Sequence, residues 1–134
     1  MMSAGYSGTP LWKKLGLKDG MTACVIAPPS HYDALLEGQP DVVWSDPAPG
    51  QDFTHVFATE AATLRRHLAD RLSVMARDGM IWVSWPKKSA KVETDITEDT
   101  IRAICLPMGL VDVKVCAVDA TWSGLKLVIR KELR

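Results

Sequence analysis

Compact apolar runs and spaced apolar stripes take turns along this chain. Thr22 to Ala27 is an apolar run rich in β-formers, bounded by Asp19-Gly20 and Pro28-Pro29, and predicts a buried strand. Asp41 to Ser45 and Phe53 to Ala58 predict two more, and Met80 to Trp85, apolar on both faces, predicts a fourth at the centre of a parallel sheet. Ala61, Leu64, Leu68, Leu72 and Met75 recur at the three-and-four spacing of one buried helical face, with Thr59 as N-cap, Glu60 in the first turn and Gly79 as the stop. Thr97 caps a later helix with Glu98 and Asp99 in its first turn, Ile101, Ile104 and Cys105 as its inner stripe and Gly109 at its close. Leu110 to Asp119 alternates, with Val111, Val113 and Val115 facing one way and Asp112, Lys114 and Cys116 the other. Leu125 to Lys131 alternates in the same manner, and the short connection from Ala120 to Gly124 predicts an antiparallel hairpin. Two short helices complete the pattern. Thr9-Pro10 opens one over Leu11 to Leu15, which Gly16 stops, and Ser30 caps another that runs through Leu36 and Glu37 to Gly38.

Strands separated by helices imply an α/β fold: a Rossmann-like three-layer sandwich, mostly parallel, closed by an antiparallel C-terminal hairpin. The expected spatial order is second, first, third, fourth, sixth and fifth strand, the sixth antiparallel to the rest. This succession is similar to the class I S-adenosylmethionine-dependent methyltransferase fold, truncated by one helix and one strand after the second strand. The loop Asp46-Pro47-Ala48-Pro49-Gly50-Gln51 marks the deletion. At a finer grain, Ser7-Gly8-Thr9-Pro10-Leu11-Trp12-Lys13-Lys14-Leu15-Gly16, Val83-Ser84-Trp85-Pro86-Lys87-Lys88 and the segment Trp122 to Lys131 resemble a family of small bacterial proteins of unknown function. That resemblance spans nearly the whole chain and implies architecture without implying an activity.

At 134 residues, 47% of them hydrophobic, the chain is expected to be one domain, 1–134, with residues 1–20 forming an N-terminal arm and a short helix. Sixteen Lys and Arg balance sixteen Asp and Glu, so no strong pull toward nucleic acid or an anionic membrane is expected. The N-terminus lacks the basic-then-apolar signature of a signal sequence and no apolar run reaches the length of a membrane span, which makes a soluble cytoplasmic protein the expectation. Cys24, Cys105 and Cys116 lie far apart inside apolar stretches and read as core residues of a reducing compartment rather than as a metal or redox site.

Ligands of open α/β sheets bind beyond the carboxyl ends of the strands, where strand order reverses. Adenosylmethionine and dinucleotide sites place glycines after the first strand, so that the backbone approaches the ligand and donates amides. Pro28 and Pro29 occupy that place here, and neither has an amide hydrogen. The expectation is therefore no such cofactor, with Ser30 and His31 left to hold a small anion. Asp46 ends the second strand, where an acidic residue binds ribose in both families, although Asp-Pro is equally turn chemistry. Thr59, Trp85, Lys87 and Lys88 share the same end, offering a helix start, a stacking surface and two cations, or else a capped helix and a solvated loop. His31, His55 and His67 assemble no catalytic set with a visible nucleophile. Two functions fit: a noncatalytic module binding a small anionic ligand or a protein partner, and a degenerate transferase with an atypical pocket.

Overall fold

In the computed structural model, which describes residues 8–134, six strands form one sheet in the order β2-β1-β3-β4-β6-β5. The strands are β1 (Thr22–Ile26), β2 (Val43–Trp44), β3 (Phe53–Phe57), β4 (Met80–Pro86), β5 (Leu110–Ala117) and β6 (Trp122–Ile129). β1 is parallel to β2 and β3, and β3 to β4; β6 runs antiparallel to both β4 and β5. This is the expected order. The arm expected over residues 1–7 lies outside the described residues.

Alternation along the central strands feeds two cores. Val56, Ile81, Val83, Leu125 and Leu127 point to one face, which helices α3 (Ala61–Leu72) and α4 (Glu98–Cys105) cover with Leu64, Leu68, Ile101 and Ile104. Phe53, Phe57 and Trp82 point to the other, which α1 (Leu11–Leu15) and α2 (Tyr32–Leu35) cover with Leu11, Leu15 and Tyr32. Trp82, fully buried, donates its indole N–H to the Leu15 carbonyl at 2.9 Å and so pins α1 to the sheet. Gly124 permits this packing, because a Cβ there would stand 3.2 Å from the Trp82 ring.

Local caps differ from the expectation where a distant residue competes. Thr97 does cap α4, in a reciprocal box with Thr100. At α3, Glu60 rather than Thr59 holds the N-cap position, without a side-chain bond, and the Ala61 amide donates instead to Asp95 Oδ1 at 2.7 Å. That helix ends at Leu72, and Gly79 serves the turn into β4. Ser30 does not cap α2: His31 sits at the N-cap, again without a side-chain bond, and the helix has only four residues. Pro10 likewise takes the N-cap of α1 in place of Thr9.

Loop 46–51 joins β2 to β3 with no strand or helix between them. Compared with the doubly wound order 3-2-1-4-5, the strand beyond β2 is missing. Gln51 replaces part of its support. Its amide donates to Ala23 O, Ser45 Oγ and Asp46 O, and its carbonyl accepts from the Ala48 amide and from Arg71 Nη2, both at 2.9 Å. The buried Arg71 guanidinium also donates to Ala48 O at 2.9 Å, binding α3 to the loop.

β5 carries a bulge. Asp112 pairs with Leu127 but Lys114 pairs with Lys126, leaving Val113 as the extra residue. The simple alternation read from the sequence therefore breaks at that point. Asp112 faces α4, where Arg102 Nε donates to its Oδ2 at 2.9 Å, whereas Lys114 faces α1. Val113 and Val115 are 53% and 52% exposed.

Candidate functional site at the carboxyl end of the sheet

β1 leaves the sheet through Ala27 in the left-handed region, φ 55°, and then through Pro28 and Pro29. Neither proline can donate to a ligand, and the helix that follows is too short to present a row of free amides. His31 instead reaches across the end of the sheet, its Nε2 lying 2.8 Å from Asp119 Oδ2 in the β5–β6 turn, 88 residues away. The other Asp119 oxygen accepts from the Thr121 and Trp122 amides, each at 2.8 Å. Burial pushes this carboxyl up, but the bonds from His31, Trp122 and Thr121 outweigh it and hold it below the usual carboxylate range. The contact ties the exit of β1 to the hairpin turn, and the His31 side chain is 51% exposed.

The other expected site residues divide. Ser30 and Asp46 are exposed; the Asp46 backbone carbonyl accepts from Ser45 and Gln51, and its carboxylate is free to face solvent. The Lys87 amide donates to Thr121 O at 2.7 Å, which sets the two lysines beside the turn that carries Asp119, and Lys88 is exposed. Trp85 is 8% exposed and belongs to the core beneath α3 and α4, so it presents no stacking surface. Thr59 uses its carbonyl to accept from Thr94 Oγ1 at 2.6 Å and from the Asp95 amide. It lines a cavity of about 480 Å³ with Glu60, Glu93, Thr94 and Asp95. Three carboxylates there give that corner the opposite sign from the positive potential anticipated at Thr59.

Beneath the crevice lies a polar set that sequence reasoning missed. Tyr32 OH is 2.8 Å from His55 Nδ1, and His55 Nε2 is 2.7 Å from Ser84 Oγ. These are the spacings of a nucleophile, a base and an orienter, yet His55 and Ser84 are wholly inaccessible and Tyr32 is 5% exposed. No substrate reaches them. Burial drives the His55 pKa down to about 3 and, with smaller help from Asp33 and Cys24, raises that of Tyr32, so all three are neutral and mutually satisfied. Phe57 stacks on His55 at 4.3 Å and meets Trp122 edge-on at 5.1 Å, joining this set to the β5–β6 turn. The available signal was His55 and Ser84, polar residues inside strands otherwise largely apolar.

Among the described residues no group of three or more His, Cys, Asp or Glu side chains is placed to hold a metal ion, and no helix is long and apolar enough to cross a membrane.

Solved structures with this architecture include methyltransferases. A SAM-dependent methyltransferase from Aquifex aeolicus matches with a TM-score of 0.62 at 16% identity, over 87% of this chain and 87% of its own. The fold is methyltransferase-like. Magnesium protoporphyrin IX methyltransferase from Synechocystis PCC 6803 matches with a TM-score of 0.59 at 11% identity, over 89% of this chain and 74% of its own. The ribosomal protein L11 methylase of Lactobacillus delbrueckii subsp. bulgaricus gives 0.57 at 11%, with the same coverage. At these identities the likeness is one of fold. The sequence matches no family model and no curated protein.

Proposed function

We propose that this chain is a noncatalytic binding module on a methyltransferase scaffold, whose small ligand contacts the loops at the carboxyl end of the sheet. The observation that carries the reading is the exit of β1, where Ala27-Pro28-Pro29 and a four-residue helix stand in place of a glycine turn and a full helix start. Backbone approach and amide donation, on which adenosylmethionine and dinucleotide binding depend, are both lost. Ser30, His31, Asp46, Lys87 and Lys88 rim this end. An anionic ligand would meet His31 and the two lysines, and would avoid the carboxylates beside Thr59. Calorimetry with S-adenosylmethionine, S-adenosylhomocysteine and NAD tests the reading. The expected result is no heat of binding at micromolar concentrations, and a dissociation constant near 1 μM, about 8 kcal/mol, overturns it.

A transferase with an atypical pocket is the second reading. It is favoured by the solved neighbours, one of which is described with bound SAM. The acid-lined cavity beside Thr59 also suits a sulfonium cation better than an anion. Glu60→Gln with Asp95→Asn separates the two readings: a transferase using that cavity loses adenosylmethionine binding in the double variant, whereas the binding module has none to lose.

A further inference from the structure

The bulge in β5 produces a charge arrangement that the fold does not need. Strict alternation would leave Lys114 on the same face as Asp112, toward α4. The extra residue turns it to the opposite face, where its Nζ donates to the Lys14 carbonyl of α1 at 3.1 Å. There it stands directly across from Lys126 of β6. Directly opposed like charges on neighbouring strands destabilise a sheet, and bulges commonly re-aim a side chain near a working site. Burial first, then the charges of Lys114 and Lys18, lower the Lys126 pKa. Among the described residues Lys18, Lys114 and Lys126 form no ion pair with a carboxylate. The face also lies away from the carboxyl-end loops, because Lys126 pairs with Trp82, midway along β4; Lys18 lines a separate hollow with Asp19, Asp52 and Asp78, whose carboxylates balance it.

We infer that Lys114 and Lys126 form a binding site for a compact phosphate-bearing anion on the α1 face of the β5–β6 hairpin. Opposed residues on adjacent strands hold their Cβ atoms about 5 Å apart, so both lysines are within reach of one compact anion of diphosphate size. An extended nucleic-acid backbone would need a longer stripe of cations than this pair of lysines offers. The anion relieves the Lys114–Lys126 repulsion, which gives the bulge its purpose.

Inorganic pyrophosphate is the probe, measured by calorimetry and by thermal melting against sodium chloride of equal ionic strength. The expected result is binding with a raised melting temperature, weakened about tenfold or more by Lys114→Met and by Lys126→Met and left unchanged by Lys131→Met, an exposed lysine beyond the end of β6. Without anion, Lys126→Met should melt at or above the temperature of the unaltered chain, because it removes a like-charge contact; Lys114, being exposed, gives a folded variant in any case. Pyrophosphate that shows no effect beyond ionic strength overturns the inference. So does undiminished binding in the Lys114 and Lys126 variants, or a duplex oligonucleotide that binds where pyrophosphate does not. Loss of pyrophosphate binding in a Lys87→Met/Lys88→Met variant alone would return the anion to the carboxyl end and likewise overturn it.

Discussion

Replacing Tyr32 with phenylalanine isolates one atom of the buried polar set. The ring, with its edge contacts to Trp44, His55 and Phe57, remains; the hydroxyl 2.8 Å from His55 Nδ1 is lost. His55 is inaccessible, so no water replaces the lost partner and one ring nitrogen is left unsatisfied, at a cost of about 1–3 kcal/mol. With an unfolding entropy of roughly 2.1 cal/mol/K per residue over 134 residues, this lowers the melting temperature by about 4–11 °C. Acid supplies an independent check. The folded His55 pKa is about 3 and the unfolded value 6.5, so between these limits the unfolded chain binds the extra proton. Stability from neutral His55 is complete above the unfolded pKa and falls as pH drops toward 3, each unit costing about a tenfold factor in the folding equilibrium. Circular dichroism melts of the unaltered chain, Tyr32→Phe and His55→Gln, from neutral pH to about pH 4, read both effects. Tyr32→Phe should be shifted down at every pH and keep the slope, because burial causes it; His55→Gln should lose the histidine's share of the slope. A Tyr32→Phe chain that melts with the unaltered one, or equal slopes in all three, would refute the reasoning.

Three further outcomes follow from the same geometry. Gly79→Ala places a methyl 3.0 Å from the carbonyl oxygens of Ala76 and Asp52, backbone atoms with little room to yield, and should cost about 1–3 kcal/mol in urea unfolding. Gln51→Leu leaves the Ala48 amide without its acceptor and deprives Arg71 of one of its two; a loss of about 2–4 kcal/mol, with earlier proteolytic cutting in 46–51, is expected. Asp119→Asn removes the charge that His31 and two amides favour; the stability it withdraws is present above the unfolded carboxyl pKa and fades as pH falls through the depressed folded one, so variant and unaltered chain should converge in acid melts.

The central strands, the two amphipathic helices and the order of the sheet were legible because each is written in local periodicity: Met80 to Trp85 is apolar on both faces because both faces are buried. What escaped depends on contacts between distant residues. The start of α3 is capped by Asp95, 34 residues on, and no reading of Thr59-Glu60 alone reveals it. The bulge at Val113 exists only in the pairing of β5 with β6, so an alternating string gave the wrong face to Lys114. His55 read as an isolated polar residue in a strand because its partners lie on α2 and β4.

The candidate site shows the same division with a consequence for charge. Lys87-Lys88 are visible in sequence as cations at the carboxyl end and His31 as a polar neighbour, and they do sit beside one turn. Carboxylates reach this end from elsewhere: Asp119 of the hairpin turn beside His31, and Glu93 and Asp95 of the stretch before α4 beside Thr59. One end of the sheet thus carries the Lys87-Lys88 rim and an acidic cavity near Thr59, while Lys114 and Lys126 lie opposed on the α1 face of the hairpin. Because close charges act far more strongly than formal net charge, an even balance of sixteen against sixteen is compatible with three locally polarised surfaces. The sign of each patch, rather than the fold it rides on, determines which ligand is worth testing there.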